Sequence, residues 1–237
     1  MGEVSLEGFS GPSVDQLREG DVSDTIEHMF ATRDAVDDIG HLSWQSSLFS
    51  ATQDTRPTIE RTNLDGDSWI DFAHSWLPHA DDVFDHLLHT LRWEQREMAM
   101  FQKVVWQPRL SGEASEADVP TALRSALLEI GDRYDLSFDH YFVNLYRDGQ
   151  DSVAWHADKI GAMSQEPLVV IISMGSTRTF CLRPKGGGTI QRFTVAHGDL
   201  LVMGGRCQHD WEHSVPKTAA LVGPRISFTA RHMKDAN

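Results

Sequence analysis

The sequence predicts a mainly β chain of the α+β class, an antiparallel sandwich or barrel flanked by helices that come earlier in the chain. Three observations lead there. Past Asp135 the chain breaks into short β-branched or aromatic runs cut by Gly, Pro and Asp-Gly punctuation. Those runs follow one another closely with no helical pattern between them, as antiparallel strands do. Before them, apolar residues recur at spacings of three and four, the period of a helix lying on something flat.

Residues 1–40 carry ten Asp/Glu against Arg18 and Arg33, with few aromatics. They are expected to form an acidic, partly disordered extension with a helix around Val22 to Thr32. Residues 41–237 are expected to form one domain. Between Ser68 and Met98, the residues Trp69, Phe72, Trp76, Val83, Phe84, Leu87, Leu88 and Leu91 predict an amphipathic helix interrupted by Pro78. A second helix is expected over Pro120 to Arg133, with proline at its start and Leu123, Ala126, Leu127 and Ile130 on one face. Strands are expected at Phe138 to Tyr146, Leu168 to Met174, Thr179 to Arg183, Gln191 to Val195, Leu200 to Met203 and Arg225 to Arg231. The glycine run from Lys185 to Thr189 reads as a hairpin turn, because no Gly-Lys-Ser/Thr leads from it into a helix.

Composition bounds the function. With 35 acidic and 21 basic residues the net charge is -14, which argues against coating nucleic acid or membrane by bulk charge. The charge is uneven: residues 141–237 hold 11 Lys/Arg and 8 Asp/Glu, a net of +3, which leaves -17 on the first 140. The longest apolar stretches fall far short of the roughly 20 residues that cross a bilayer, and the first residues lack the regions of a signal peptide. The chain reads as a cytoplasmic monomer that does not bind membranes, with Cys181 and Cys207 as free thiols.

The chemistry lies in four phrases. His156 and Asp158 are two residues apart on a strand or its continuation, so both side chains reach one spot. A third imidazole would complete two His and one carboxylate, the facial set that leaves three positions of an Fe(II) ion open. His213, at the start of an extended segment, is the candidate; His209 competes but follows Gly204-Gly205 in what reads as a turn. With 12 histidines in the chain, a His-x-Asp pair also arises without any metal. The arginines change that weighing. Arg225 and Arg231, six residues apart on an alternating strand, face the same side as Ser227 and Thr229, and two inward guanidinium groups call for anions. A dicarboxylic acid supplies two. Asn144 and Tyr146 add polar groups by the same two-residue period.

The order Asn-x-Tyr, His-x-Asp, His and Arg-x5-Arg resembles the AlkB family of Fe(II)- and 2-oxoglutarate-dependent dioxygenases, in the form common among bacterial AlkB-like proteins. The stretches from His197 to Gly205 and from Trp211 to Lys217 are similar to that family's text. The resemblance covers about Trp106 to Met233 and fades back toward Leu42. It implies a double-stranded β-helix, or jelly roll, with its core at about 136–233 and a nucleotide-recognition lid at about 64–118. The lid would hold the Ser68 to Met98 helix and the segment from Val104 to Leu110. It further implies that His156, Asp158 and His213 bind iron and that Arg225 pairs with the distal carboxylate of 2-oxoglutarate. Asn144 and Tyr146 would hydrogen-bond the cosubstrate, with Arg231 beside its metal-proximal end and Ser227 lining its site. The implied cofactors are Fe(II), 2-oxoglutarate and O2. The implied reaction is oxidative demethylation of N-alkylated DNA or RNA bases, an alkylation-repair activity that yields formaldehyde, succinate and CO2.

Two departures bear on the substrate. Many nucleic-acid-repairing members carry a carboxylate four residues after the first iron histidine, where this chain has Ile160. The usual aromatic and glycine after Gln-Pro-Arg-Leu are replaced by an acidic run, Ser111 to Asp118, which would repel phosphate. A flipped base needs stacking and cationic partners. Trp106 and Trp155 are candidates for the first; Arg109, Lys159, Arg178, Arg183 and Arg206 for the second. By strand alternation, however, Trp155 points away from His156, and Arg178 and Arg183 at strand ends could be ordinary solvated side chains. Ile160 and the acidic N-terminal part favour the same chemistry on a small molecule or protein, and a non-catalytic jelly-roll binding protein is the remaining reading.

Overall fold

The structure, a computed structural model, describes residues 32–35, 39–43, 57–100, 103–158 and 166–232. The helix expected around Val22 falls outside these residues except for Thr32, which begins a strand. In chain order the described elements begin with β1 (Thr32–Asp34), β2 (Glu60–Asn63), β3 (Ser68–Ala73), α1 (Ala80–Thr90), β4 (Glu94–Met100), β5 (Lys103–Trp106), β6 (Leu110–Ala114) and α2 (Thr121–Tyr134). They continue with β7 (His140–Tyr146), β8 (Val153–His156), β9 (Val169–Gly175), β10 (Arg178–Pro184), β11 (Gln191–Val195) and β12 (Leu200–Gly205). Last come the one-turn helix α3 (Cys207–Asp210), β13 (Trp211–Val215) and β14 (Arg225–Arg231).

Among the described residues the larger sheet runs β1-β4-β6-β7-β14-β9-β12-β3-β2, with β5 paired to β4, and the smaller runs β11-β10-β13-β8. Every pairing is antiparallel. This is the expected jelly roll: the strands expected from Phe138 onward are all present, and α2 lies where the second helix was read.

The two-residue period sorts the core. On β9, Val170, Ile172 and Met174 pack with Ile226, Phe228 and Ala230 of β14 and with Val83, Phe84, Leu87 and Leu88 of α1. Their neighbours Val169 and Ile171 join a second cluster with Phe180, Leu182, Val195 and Val215 of the smaller sheet. Each strand is therefore buried on both faces, which is why these segments read as continuous apolar runs. Residues with the other parity on β14, namely Arg225, Ser227, Thr229 and Arg231, face the space between the sheets. Each apolar side chain of α1 that leaves water contributes about 1.5–3 kcal/mol, so the helix is held by its stripe rather than by its length.

The helix expected from Ser68 to Met98 is corrected on two counts. Only Ala80–Thr90 is helical; the start is β3 and the end is β4. The Ser-Trp-Ile-Asp-Phe-Ala stretch pairs with β12 on one side and β2 on the other, and this two-sided pairing overrides the three-and-four spacing of its aromatics. The second count is placement. The helix lies on the sheet face opposite the arginines, because its apolar stripe matches the even-numbered side chains of β9, so it is not a cover over the site. Most of residues 64–118 is thus sheet and backing layer, with β3 and β6 inside the larger sheet. Thr32–Asp34, within the acidic N-terminal stretch, pairs with β4.

Candidate active site

His156 closes β8 and pairs directly with His213 of β13. Directly opposed residues in an antiparallel pair share a face, so the two imidazoles meet, with ring centroids 4.2 Å apart. Asp158, two residues beyond β8, brings its Oδ1 to 3.8 Å from His156 Nε2 and 4.0 Å from His213 Nε2. One donor atom from each residue lies within 4.8 Å of the other two. His156 Nδ1 donates to the Ala154 carbonyl at 2.9 Å, which leaves Nε2 as the lone-pair nitrogen facing the cluster. Phe180 stacks on His213 at 5.3 Å and fixes that ring.

The electrostatics suit a cation. Burial first, and then the neighbouring His156, push the His213 pKa down to about 3, so that imidazole is neutral and able to ligate. Burial alone would raise Asp158, but Coulombic coupling to His213, Arg231 and His156 outweighs it and holds the carboxyl below its ordinary range; with His213 neutral, the Arg231 guanidinium 2.8 Å away is the permanent charge beside it. Two imidazoles and a carboxylate with open positions are the donor set that Fe(II) takes in oxygenases.

The second half of the site comes from β14. Arg231 Nη2 lies 2.8 Å from Asp158 Oδ1. Arg225 is 1% exposed; its Nε donates to Ser173 Oγ at 2.9 Å and its guanidinium lies 5.2 Å over the Tyr146 ring. Its Nη1 has no hydrogen-bond partner among the described residues, and burial lowers its pKa. A buried guanidinium with an unsatisfied donor fits a carboxylate, the group a 2-oxo diacid would present. Asn144, Tyr146, Ser227 and Arg231 line one cavity with His156, Asp158 and His213. Asn144 Oδ1 accepts from Arg109 Nε at 2.8 Å.

The candidates for substrate contact scatter. Arg109 lines the same cavity. Trp106 is 38% exposed on β5, with the Arg33 guanidinium 4.9 Å over its ring. Trp155 lies on the other face of β8 from His156, under Arg183 at 4.2 Å, and Arg183 in turn pairs with Glu212 at 3.0 Å. Arg178 is corrected as a phosphate contact: it is 4% exposed and donates to the carbonyls of Asp148, Asp151 and Pro216, so its charge is spent inside the fold. Arg206 is exposed but pairs with Asp210 at 2.6 Å. Lys159 and Ile160 lie outside the described residues. His209 sits in α3 and is not one of the three clustered donors.

Three participants went unread in the sequence. Ser173 could have been found by register, since it stands opposite Ser227. Phe180 and Gln208 carried no local signal; Gln208 Oε1 accepts the Asp158 backbone N–H at 2.9 Å from 50 residues away.

Comparison with known proteins agrees with this geometry. Alpha-ketoglutarate-dependent dioxygenase alkB homolog 3 of Bos taurus is 32% identical over 179 residues, which cover 65% of this chain and 62% of the relative. DNA oxidative demethylase ALKBH2 of Arabidopsis thaliana is 29% identical over 204 residues, covering 69% and 63%. The match thus spans less than two thirds of either relative's length. The solved structure of OsALKBH1 superposes with a TM-score of 0.50 at 15% identity, covering 73% of this chain and all of that one, a likeness of fold. The family pattern of the 2OG-Fe(II) oxygenase superfamily, whose cofactors are Fe(II), 2-oxoglutarate and O2, matches residues 71–231. With two histidines and an aspartate gathered in one cavity and a buried arginine behind Tyr146 of its lining, the chain belongs to that superfamily, in its AlkB branch.

Proposed function

We propose that this protein is an Fe(II)- and 2-oxoglutarate-dependent dioxygenase that demethylates N-alkylated nucleic-acid bases, releasing formaldehyde, succinate and CO2. The observation that carries the reading is the meeting of His156, Asp158 and His213 around one cavity, with buried Arg225 behind Tyr146 of its lining and the Arg225 Nη1 without a partner among the described residues. The names of two relatives, a DNA oxidative demethylase and an alkB homolog dioxygenase, support the choice of substrate class.

His156, Asp158 and His213 hold the metal, and Arg225 holds the distal carboxylate of the cosubstrate. Bound there, iron and 2-oxoglutarate supply the oxidising chemistry. The chain's own work is orientation. Tyr146, under the Arg225 guanidinium, and Asn144, fixed by Arg109, shape the cosubstrate's bed. Arg231 keeps the Asp158 carboxylate ionised and aimed. Val153, Ile171, Phe180 and Val215 wall the cavity and exclude water from it.

The test is incubation of the iron-loaded protein with 2-oxoglutarate and methylated oligonucleotides, single- and double-stranded. Formaldehyde release matched by loss of one methyl mass from the oligonucleotide is expected. Succinate formation that ignores every oligonucleotide would move the reading to a small-molecule or protein substrate.

A further inference from the structure

Asp158 poses a structural question that its neighbours do not. His156 and His213 sit in paired strands, where the ladder fixes their main chains. Asp158 lies beyond the end of β8 and has no ladder partner among the described residues, yet it must present one carboxylate oxygen to two imidazoles. Its backbone N–H donates to Oε1 of Gln208, a side chain only 2% exposed. Gln208 is itself held at both ends: its Nε2 reaches Met203 Sδ at 3.5 Å, and its main-chain carbonyl accepts from Lys185 Nζ at 3.1 Å. It belongs to α3, the single turn joining β12 to β13, the strand that carries His213.

We infer that Gln208 is a positioning residue for the metal set: it clamps the Asp158 main chain to the α3 turn so that the carboxylate stays in register with His213. Arg231 constrains the carboxylate from one side and Gln208 the backbone from the other. Together they do for a residue outside the sheet what strand pairing does for the two histidines. Removing the amide oxygen frees Asp158 to swing, and a partner behind a metal ligand typically matters 10- to 100-fold in metal affinity.

The inference rests on His156, Asp158 and His213 being the metal set, and the test separates the two. Co(II) is titrated into the full-length apo-protein and followed by its visible absorption, alongside melting of the metal-free form. Asp158→Ala serves as the reference for a broken ligand set; Co(II) binding unchanged in that variant would overturn the metal assignment, and the clamp with it. Gln208→Leu, which keeps bulk without an acceptor, and Gln208→Asn, whose acceptor is one methylene too short, are expected to bind Co(II) about 10- to 100-fold more weakly. Gln208→Glu, which keeps an acceptor at the right reach, is expected to bind within a few-fold of the unaltered protein. If Leu fails to fold, the Asn and Glu pair carries the comparison. Unchanged Co(II) affinity in Asn and Leu, with only the melting temperature lowered, would reduce Gln208 to a packing residue. So would a Glu variant as weak as Asn.

Discussion

At the scale of single residues the site is a set of groups each incomplete without a ligand. Arg225 is the clearest: burial costs its guanidinium hydration, Ser173 and the Tyr146 ring return part of that, and Nη1 is left over. Arg225→Lys is therefore expected to raise the 2-oxoglutarate concentration needed for half-maximal turnover at least tenfold, since a point charge cannot reproduce a two-pronged clamp. Equal half-saturation in the variant, measured by succinate release, would remove Arg225 from cosubstrate binding. His156→Ala and Asp158→Ala are each expected to abolish turnover while leaving the folded far-UV spectrum intact, because each deletes a donor and leaves the strands paired. Turnover near that of the unaltered protein in either one would dismiss the three-donor centre.

At the scale of elements, two junctions hold the frame that carries the site. One lies where β12 turns into α3. The Trp69 ring covers Gly204 so closely that a Cβ there would overlap it, and Gly205 adopts φ +61° beside the Asp67 carbonyl. Gly204→Ala is expected to cost about 1–3 kcal/mol in urea unfolding, as overpacking does. The other junction ties α2 to the sheet edge. Arg61 of β2 makes a two-pronged bond with Asp71 of β3 at 2.7 and 2.8 Å, and Tyr134 at the end of α2 donates to the same carboxylate at 2.6 Å. Arg61 also lies 3.7 Å over Trp69, which stacks on Tyr134. Burial would raise Asp71, yet the bonds from Arg61 and Tyr134 prevail and lower it below 3.8, while burial and the bond to Asp71 push the Tyr134 hydroxyl well above its ordinary value. A carboxyl whose folded pKa is depressed stabilises the fold fully above its unfolded value and loses that contribution as pH falls through the folded one. Asp71→Asn is thus expected to destabilise the protein at neutral pH by about 1–3 kcal/mol, with the gap from the unaltered protein closing below pH 3.8. A gap that persists undiminished below that pH would assign the loss to packing instead of charge.

At the scale of the whole molecule, two sheets and a helical backing divide the labour. On β9 and β14 the even-numbered side chains join a core with α1 and α2 and the odd-numbered ones face the smaller sheet, while on β7 the parity is reversed, Val143 and Leu145 being core and Phe142, Asn144 and Tyr146 lining the cavity; the smaller sheet closes that cavity and brings both histidines. The net charge of -14 leaves any nucleic-acid partner to local cations, and several of those are already engaged: Arg183 with Glu212, Arg206 with Asp210, Arg178 with three carbonyls. Oligonucleotide affinity is accordingly expected to fall only shallowly with salt, with a log–log slope of about -1 to -3, against the steeper slopes of proteins that contact many phosphates. A much steeper slope would mean that further cations are recruited on binding.

The sequence by itself determined the jelly-roll strands from Phe138 onward and α2, because each is written in a short-range period, two along a strand and three and four along a helix, and its motifs singled out His156, Asp158 and His213, which meet around one cavity. It misread Ser68 to Met98, where strand and helix periods overlap and only the partners β12 and β2 break the tie. Tertiary structure alone decided that α1 backs the sheet, that Arg178 is internal, and that Gln208 and Ser173 reach the site. Those are contacts across 27 to 52 residues, made by strand register and chain return, and no local pattern encodes which distant surface a side chain will meet.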